Sequence, residues 1–90
     1  MTLKIISAED ILFEGEVTSV KLPGRMGAFT VLQNHASLVS SLDKGAIVYR
    51  GADGEEHSTE IGGGIADVDN NVVAVCVFLS LHQPLDQLNR

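Results

Sequence analysis

Few side chains in this sequence could do chemistry, and their spacing keeps them apart. The histidines stand at 35, 57 and 82 and the single cysteine at 76. Zinc sites draw Cys and His ligands in pairs a few residues apart, an arrangement these positions do not offer. His57 falls in the polar stretch Glu55 to Ile61, where a histidine is normally solvated. Cys76 sits between Val75 and Val77 in the most apolar stretch of the chain. A nucleophilic thiol needs cationic or basic neighbours, so a thiol in that setting is expected to stay protonated and inert. His35 has Ser37 two residues on. No carboxylate stands nearby to orient the ring, so a histidine bonded to its own loop backbone is a stronger account than hydrolase chemistry. The run Gly62-Gly63-Gly64 suggests a phosphate loop, which requires a following helix and a Lys with Ser or Thr. Ile65-Ala66-Asp67-Val68 follows instead, with a strand's alternation. A bulge, a sharp bend or a neighbouring backbone close by explains the glycines better.

The totals narrow the classes further. Ninety residues make one domain with a single modest core. The formal charge is -6, and Lys4, Lys21, Arg25, Lys44, Arg50 and Arg90 are scattered singly. Nucleic-acid binders concentrate basic residues into a stripe, so that partner is excluded. A lone cysteine allows no internal disulfide and suits a reducing compartment. The opening Met1-Thr2-Leu3-Lys4 leads into charged residues without the apolar core of a signal peptide. The longest apolar run, 72 to 79, is less than half a membrane span. The expected location is cytosolic, or peripheral on something cytosolic.

Short strands punctuated by turns organise the chain, the pattern of an all-β sandwich. Strands are expected at Leu3–Ser7, Ile11–Leu22, Ala28–Leu32, Lys44–Arg50, Glu55–Ile61, Ile65–Val68 and Val72–Leu79. The step from Val17 to Val20 breaks the period of two and predicts a bulge near Thr18-Ser19. Ala36 to Leu42, small and polar, reads as a helical turn or loop. Asp53-Gly54 is the strongest hairpin signal, a type I′ turn with both residues at positive φ. Asp69-Asn70-Asn71 marks a second tight turn. The strand 55–61 is polar enough for an edge, and 72–79, apolar on both faces, is expected to be the most buried. Val73, Val75 and Val77, with Ile5, Val31 and Ile47, should fill the core. In the tail 80–90, Leu81, Leu85 and Leu88 with Pro84 predict a short helical stub. The residues alone thus describe a small acidic β-sandwich, residues 1–79, that works by contact.

One stretch says more. Gly24-Arg25-Met26-Gly27-Ala28-Phe29-Thr30-Val31-Leu32, then His35-Ala36 and Leu38, resembles the G-x-x-G-x-F-x-V-L-P-x-H-A-P-L signature of the F-type ATP synthase epsilon subunit. The match extends outward: LKIISAEDILFEGEVTSVKLPG is similar to that family's opening hairpin, GAIVYRGADGEEH to its middle one and IGGGIADVDNNVVAVCV to its closing one. The resemblance implies a flattened antiparallel β-sandwich in the central stalk, beside the gamma subunit and on the polar loops of the membrane c-ring. It implies a non-catalytic rotor subunit that couples rotation to ion translocation and ATP synthesis. No catalytic residue, cofactor, metal or nucleic acid is implied. Location would be peripheral, at the cytoplasmic face of the inner (plasma) membrane, touching the membrane only through the c-ring.

By the same resemblance Arg25, Met26, Gly27, Ala28 and Phe29 would face the c-ring, and His35, Ala36, Leu38, Ser40, Ser41 and Leu42 the gamma subunit. Three departures carry consequences. Gln33 and Ser37 stand where the pattern commonly has proline, which should loosen that loop. Ala28 stands where some members carry an acid. Many members continue into two C-terminal helices, whereas here Pro84 to Leu88 is similar to the start of the first. The implied protein is a short form lacking most of that helical domain and the self-inhibition it provides. A free-standing ligand-binding sandwich is the competing reading, but Phe13, Phe29, Tyr49 and Phe78 are few and spaced as core residues.

Overall fold

The computed structural model describes residues 1–78, all in strands and turns. Eight strands follow in order: β1 (Thr2–Ile6), β2 (Ile11–Leu22), β3 (Phe29–Leu32), β4 (Leu38–Leu42), β5 (Gly45–Gly51), β6 (Glu56–Ile61), β7 (Gly63–Asp69) and β8 (Val72–Phe78). Two layers share one strand. The first layer runs β4-β7-β8-β1-β2, and β2 continues into the second, where β3, β2, β5 and β6 lie side by side. The first half of β2 pairs with β1 and the second half with β3 and β5. Its register with β5 shifts between Val17 and Ser19, where the broken alternation foretold a bulge. A bulge bends a strand and increases its twist, which lets one strand serve both layers. The result is the all-β sandwich expected.

Alternation fills the space between the layers. In β1, Leu3 and Ile5 point inward, and in β8 Val73, Val75 and Val77 do. Val20 and Leu22, Val31, Ile47 and Ile61 close the core from the other side. All six residues expected in the core are there. β6 is polar outside and forms the edge of its layer, also as expected.

Several local expectations are overturned. Residues 38 to 42 are a strand: β4 pairs with β7 from Leu38↔Val68 to Leu42↔Gly64. Ser40 and Ser41 give little local preference for strand, so pairing with β7 decides. β8 is buried on one face only, with Val72 and Phe78 exposed and Cys76 exposed between them. Burial on both faces requires cover on both sides, and among the described residues the outer face of this layer has none. β1 and β8 run parallel, while the other named strand pairs are antiparallel. β8 reaches β1 from far along the chain, so no hairpin dictates its direction.

Both hairpin turns occur, but the pair of left-handed residues expected at Asp53-Gly54 is found at the other turn. At the β5–β6 turn Gly54 has φ 87° and Asp53 does not enter the left-handed region. Gly54 N donates to Gly51 O at 2.9 Å, and Asp53 Oδ1 accepts from Glu55 N at 2.9 Å. The turn with two consecutive left-handed residues is Asn70-Asn71, φ 53° and 62°, between Asp69 and Val72. Of the three accounts of the glycine run, close backbone approach is observed: a Cβ on Gly64 would meet main-chain atoms of Cys76 and Val77. The expected helical stub at 80–90, His82 and the domain boundary at 79 lie outside the described residues.

Candidate functional site

The candidate chemical groups do not assemble. The His35 ring donates from Nδ1 to Ala36 O at 2.7 Å, the backbone bond expected of it. Ser37 Oγ donates to Asp69 Oδ1 at 2.5 Å instead of meeting that ring. His57 is exposed and stacks on Tyr49 at 5.4 Å, and Tyr49 packs on Phe13 at 4.5 Å. This aromatic series covers one margin of the core. Phe29 also packs against the core, leaving Phe78 as the aromatic that projects. Cys76 is exposed, against the buried setting expected of it. Among the described residues no group of three or more His, Cys, Asp and Glu is placed to hold a metal.

What the strands do position is surface. The turn between β2 and β3 is built on two glycines. Gly27 N donates to Gly24 O at 3.0 Å, and Gly27 has φ 129°. A Cβ at Gly24 would lie 2.7 Å from Gly27 O and 2.8 Å from the Phe29 ring, so the turn closes this tightly only around glycine. The turn is tied to the end of β4: Arg25 N donates to Ser41 O at 2.9 Å and Asp43 N to Pro23 O at 2.8 Å. The Arg25–Asp43 ion pair is long, 3.4 Å, and exposed, worth under about 1 kcal/mol. Arg25, Met26, Gly27 and Ala28 project, with Met26 97% exposed, and Phe29 anchors them to the core.

The second stretch, 33–42, divides. Ala36 and Ser41 are exposed, His35, Leu38 and Ser40 are half-buried, and Leu42 is a core residue with no side chain at the surface. The turn 24–28 abuts the second stretch at the Ser41–Leu42 end of β4, while His35 and Ala36 lie beyond its Leu38 end, about 14 Å along the strand at roughly 3.4 Å per residue.

The outer face of the first layer holds residues that sequence reasoning missed. Register aligns Ser41, Ile65, Cys76, Ile6 and Ile11 in one row across five strands. Ile65 and Ile11 are more than half exposed, and Phe78, at 71%, stands beside the row. Ile6, Ala8, Ile65, Cys76 and Phe78 line a groove of about 250 Å³. Val39, 71% exposed, lies next to Ser41 along β4. The signal was present in β8, whose apolar residues on both faces were read as double burial. Among the described residues nothing covers this face, and exposed apolar patches are the kind of surface that association buries.

No helix among the described residues is long and apolar enough to cross a membrane. The sequence profile of the ATP synthase, Delta/Epsilon chain, beta-sandwich domain matches residues 1–78. The ATP synthase epsilon chain of Sulfurovum sp. (strain NBC37-1) is 45% identical over 69 residues, 77% of this chain and 54% of its own. That of Campylobacter jejuni subsp. doylei is 41% identical over 75 residues, 83% and 58%. The chain thus spans a little over half the length of these relatives. Among solved structures, a chain in the Euglena gracilis mitochondrial ATP synthase OSCP/F1/c-ring structure superposes with a TM-score of 0.81 at 21% identity, covering 97% of this chain and 57% of that one. A chain in the Tetrahymena thermophila mitochondrial ATP synthase central stalk/c-ring structure gives 0.72 at 13%, covering 87% and 63%. Those likenesses show the fold, and the profile and relatives show the family: this chain belongs to the ATP synthase delta/epsilon chain beta-sandwich domain family.

Proposed function

We propose that this protein is a non-catalytic rotor subunit of the central stalk of an F-type ATP synthase. It links the gamma subunit to the c-ring and couples rotation to ion translocation and ATP synthesis. The projecting turn Arg25–Phe29 meets the polar loops of the c-ring. His35 to Ser41, continued by the apolar row, meets gamma. The location that follows is peripheral, at the cytoplasmic face of the inner (plasma) membrane, with membrane contact only through the c-ring.

The observation that carries this reading is the apolar row Ile65, Cys76, Ile6 and Ile11 with Phe78. It lies on the outer face of a sandwich whose core is already complete without it. Removing such a face from water favours association by about 25 cal/mol per Å² before the costs of ordering. Family membership supplies the assembly in which such a face would be covered. The test places a charge in the row. Ile65→Lys should weaken binding to purified gamma subunit about tenfold or more while leaving the melting temperature nearly unchanged, because Ile65 already faces water. Binding equal to wild type would remove the row from the interface.

A further inference from the structure

The loop after β3 is tied at several points to a turn distant from it in sequence. His35 N donates to Leu32 O at 3.2 Å, which closes a four-residue turn with Asn34 third and at φ 64°. Left-handed geometry at that place alone describes a type II turn, in which proline is favoured at the second position. Gln33 occupies that position, so the turn lacks the ring that would hold its backbone. Cross-chain bonds stand in its place. Asn34 N donates to Asn71 Oδ1 at 2.6 Å, and Asn71 Nδ2 donates back to Asn34 Oδ1 at 2.9 Å. Asn71 is itself anchored, since its carbonyl accepts from Thr2 N of β1 at 3.0 Å. Ser37, at the other position lacking proline, donates to Asp69 Oδ1 on the same β7–β8 hairpin. The expected loosening of this loop is therefore opposed by hydrogen bonds at both of its ends.

We infer that Asn71 is a positioning residue for partner binding, a latch that holds loop 33–37 in its docking shape through Asn34. The inference rests on the proposed docking of this loop to gamma. A loop already ordered in its bound shape loses less entropy on association, and a latch achieves this without touching the partner. Asn71 suits the task because its left-handed turn position, φ 62°, admits Asn and Gly with little strain.

Asn71→Gly keeps the turn and deletes the latch. In the full chain, hydrogen exchange at the Asn34 amide should accelerate about tenfold, the equivalent of one lost hydrogen bond. Association with purified gamma should slow by a similar factor. Asn71→Asp retains the acceptor for Asn34 N and should restore most of both. Asp53→Ala, which removes a comparable turn bond at the distant β5–β6 turn, should lower stability but leave association unchanged. Ala36→Arg tests the underlying reading separately, because it blocks the exposed loop surface with the latch intact. If Ala36→Arg binds gamma normally, the loop is not a docking surface. If Ala36→Arg abolishes binding but Asn71→Gly shows unchanged exchange or unchanged association, the latch is overturned.

Discussion

Gly64 lies so close to Cys76 on the neighbouring strand that a methyl group on its Cα would overlap the Cys76 carbonyl oxygen. The same methyl would lie 3.0 Å from Val77 Cα. Main-chain atoms of a paired central strand have no room to retreat. Gly64→Ala should therefore cost about 3 kcal/mol, the upper end of overpacking effects. Gly54→Ala, in open space with φ 87°, should cost only about 1–2 kcal/mol for its backbone conformation. Urea titrations of the two variants give the comparison; equal losses would mean that β7 and β8 do not approach as described.

Glu16 should make stability depend on acid. The Thr2 hydroxyl donates to its Oε2 at 2.8 Å and the Met1 amine to its Oε1 at 3.2 Å. These bonds, Thr2 first, with the charge of the amine, hold the carboxyl below its ordinary 4.5. A depressed value in the folded state means that stability is present above the unfolded value and is lost as pH falls through the folded one. Glu16→Gln should melt lower than the parent at neutral pH, and the difference should close as pH drops below 4.5. Melting curves from pH 7 to pH 3 read this directly, and a difference independent of pH would contradict it.

Cys76 should react quickly with a maleimide in the folded protein, because it lies exposed in the apolar row. A buried cysteine would need unfolding first and would react slower by orders of magnitude. In the assembled ATP synthase the same thiol should be shielded. Labelling in both states, followed by mass spectrometry, separates the outcomes; equal reactivity in both would take gamma away from this face.

The projecting turn makes a different prediction. Ala28 is exposed, so Ala28→Arg should leave the stability of the free subunit within about 0.5 kcal/mol. Packed against the c-ring, an unpaired guanidinium would cost several kcal/mol. ATP-driven ion pumping by the assembled enzyme should fall while melting of the free subunit does not change. Normal pumping would place the turn away from the ring.

Local sequence was enough for much of this protein. Alternation at Val73, Val75 and Val77 marked a core face, because side chains on a strand alternate whatever they pack against. The slip between Val17 and Val20 marked the bulge for the same reason. The glycines at 24 and 27 and the motif that follows them announced the turn and the family, since those backbone positions tolerate little else. What local sequence left open depended on distant segments. β4 became a strand because β7 came to lie beside it, and β8 lies parallel to β1 because of the path taken between them. Apolar residues on both faces of β8 looked the same whether one face was covered or two, so the exposed row and Cys76 emerged only once the layers were counted. The bonds between Asn34 and Asn71 join residues 37 apart. No pattern within a few residues specifies such a pairing; it forms only when the packed layers bring a loop and a turn to the same end of the sandwich.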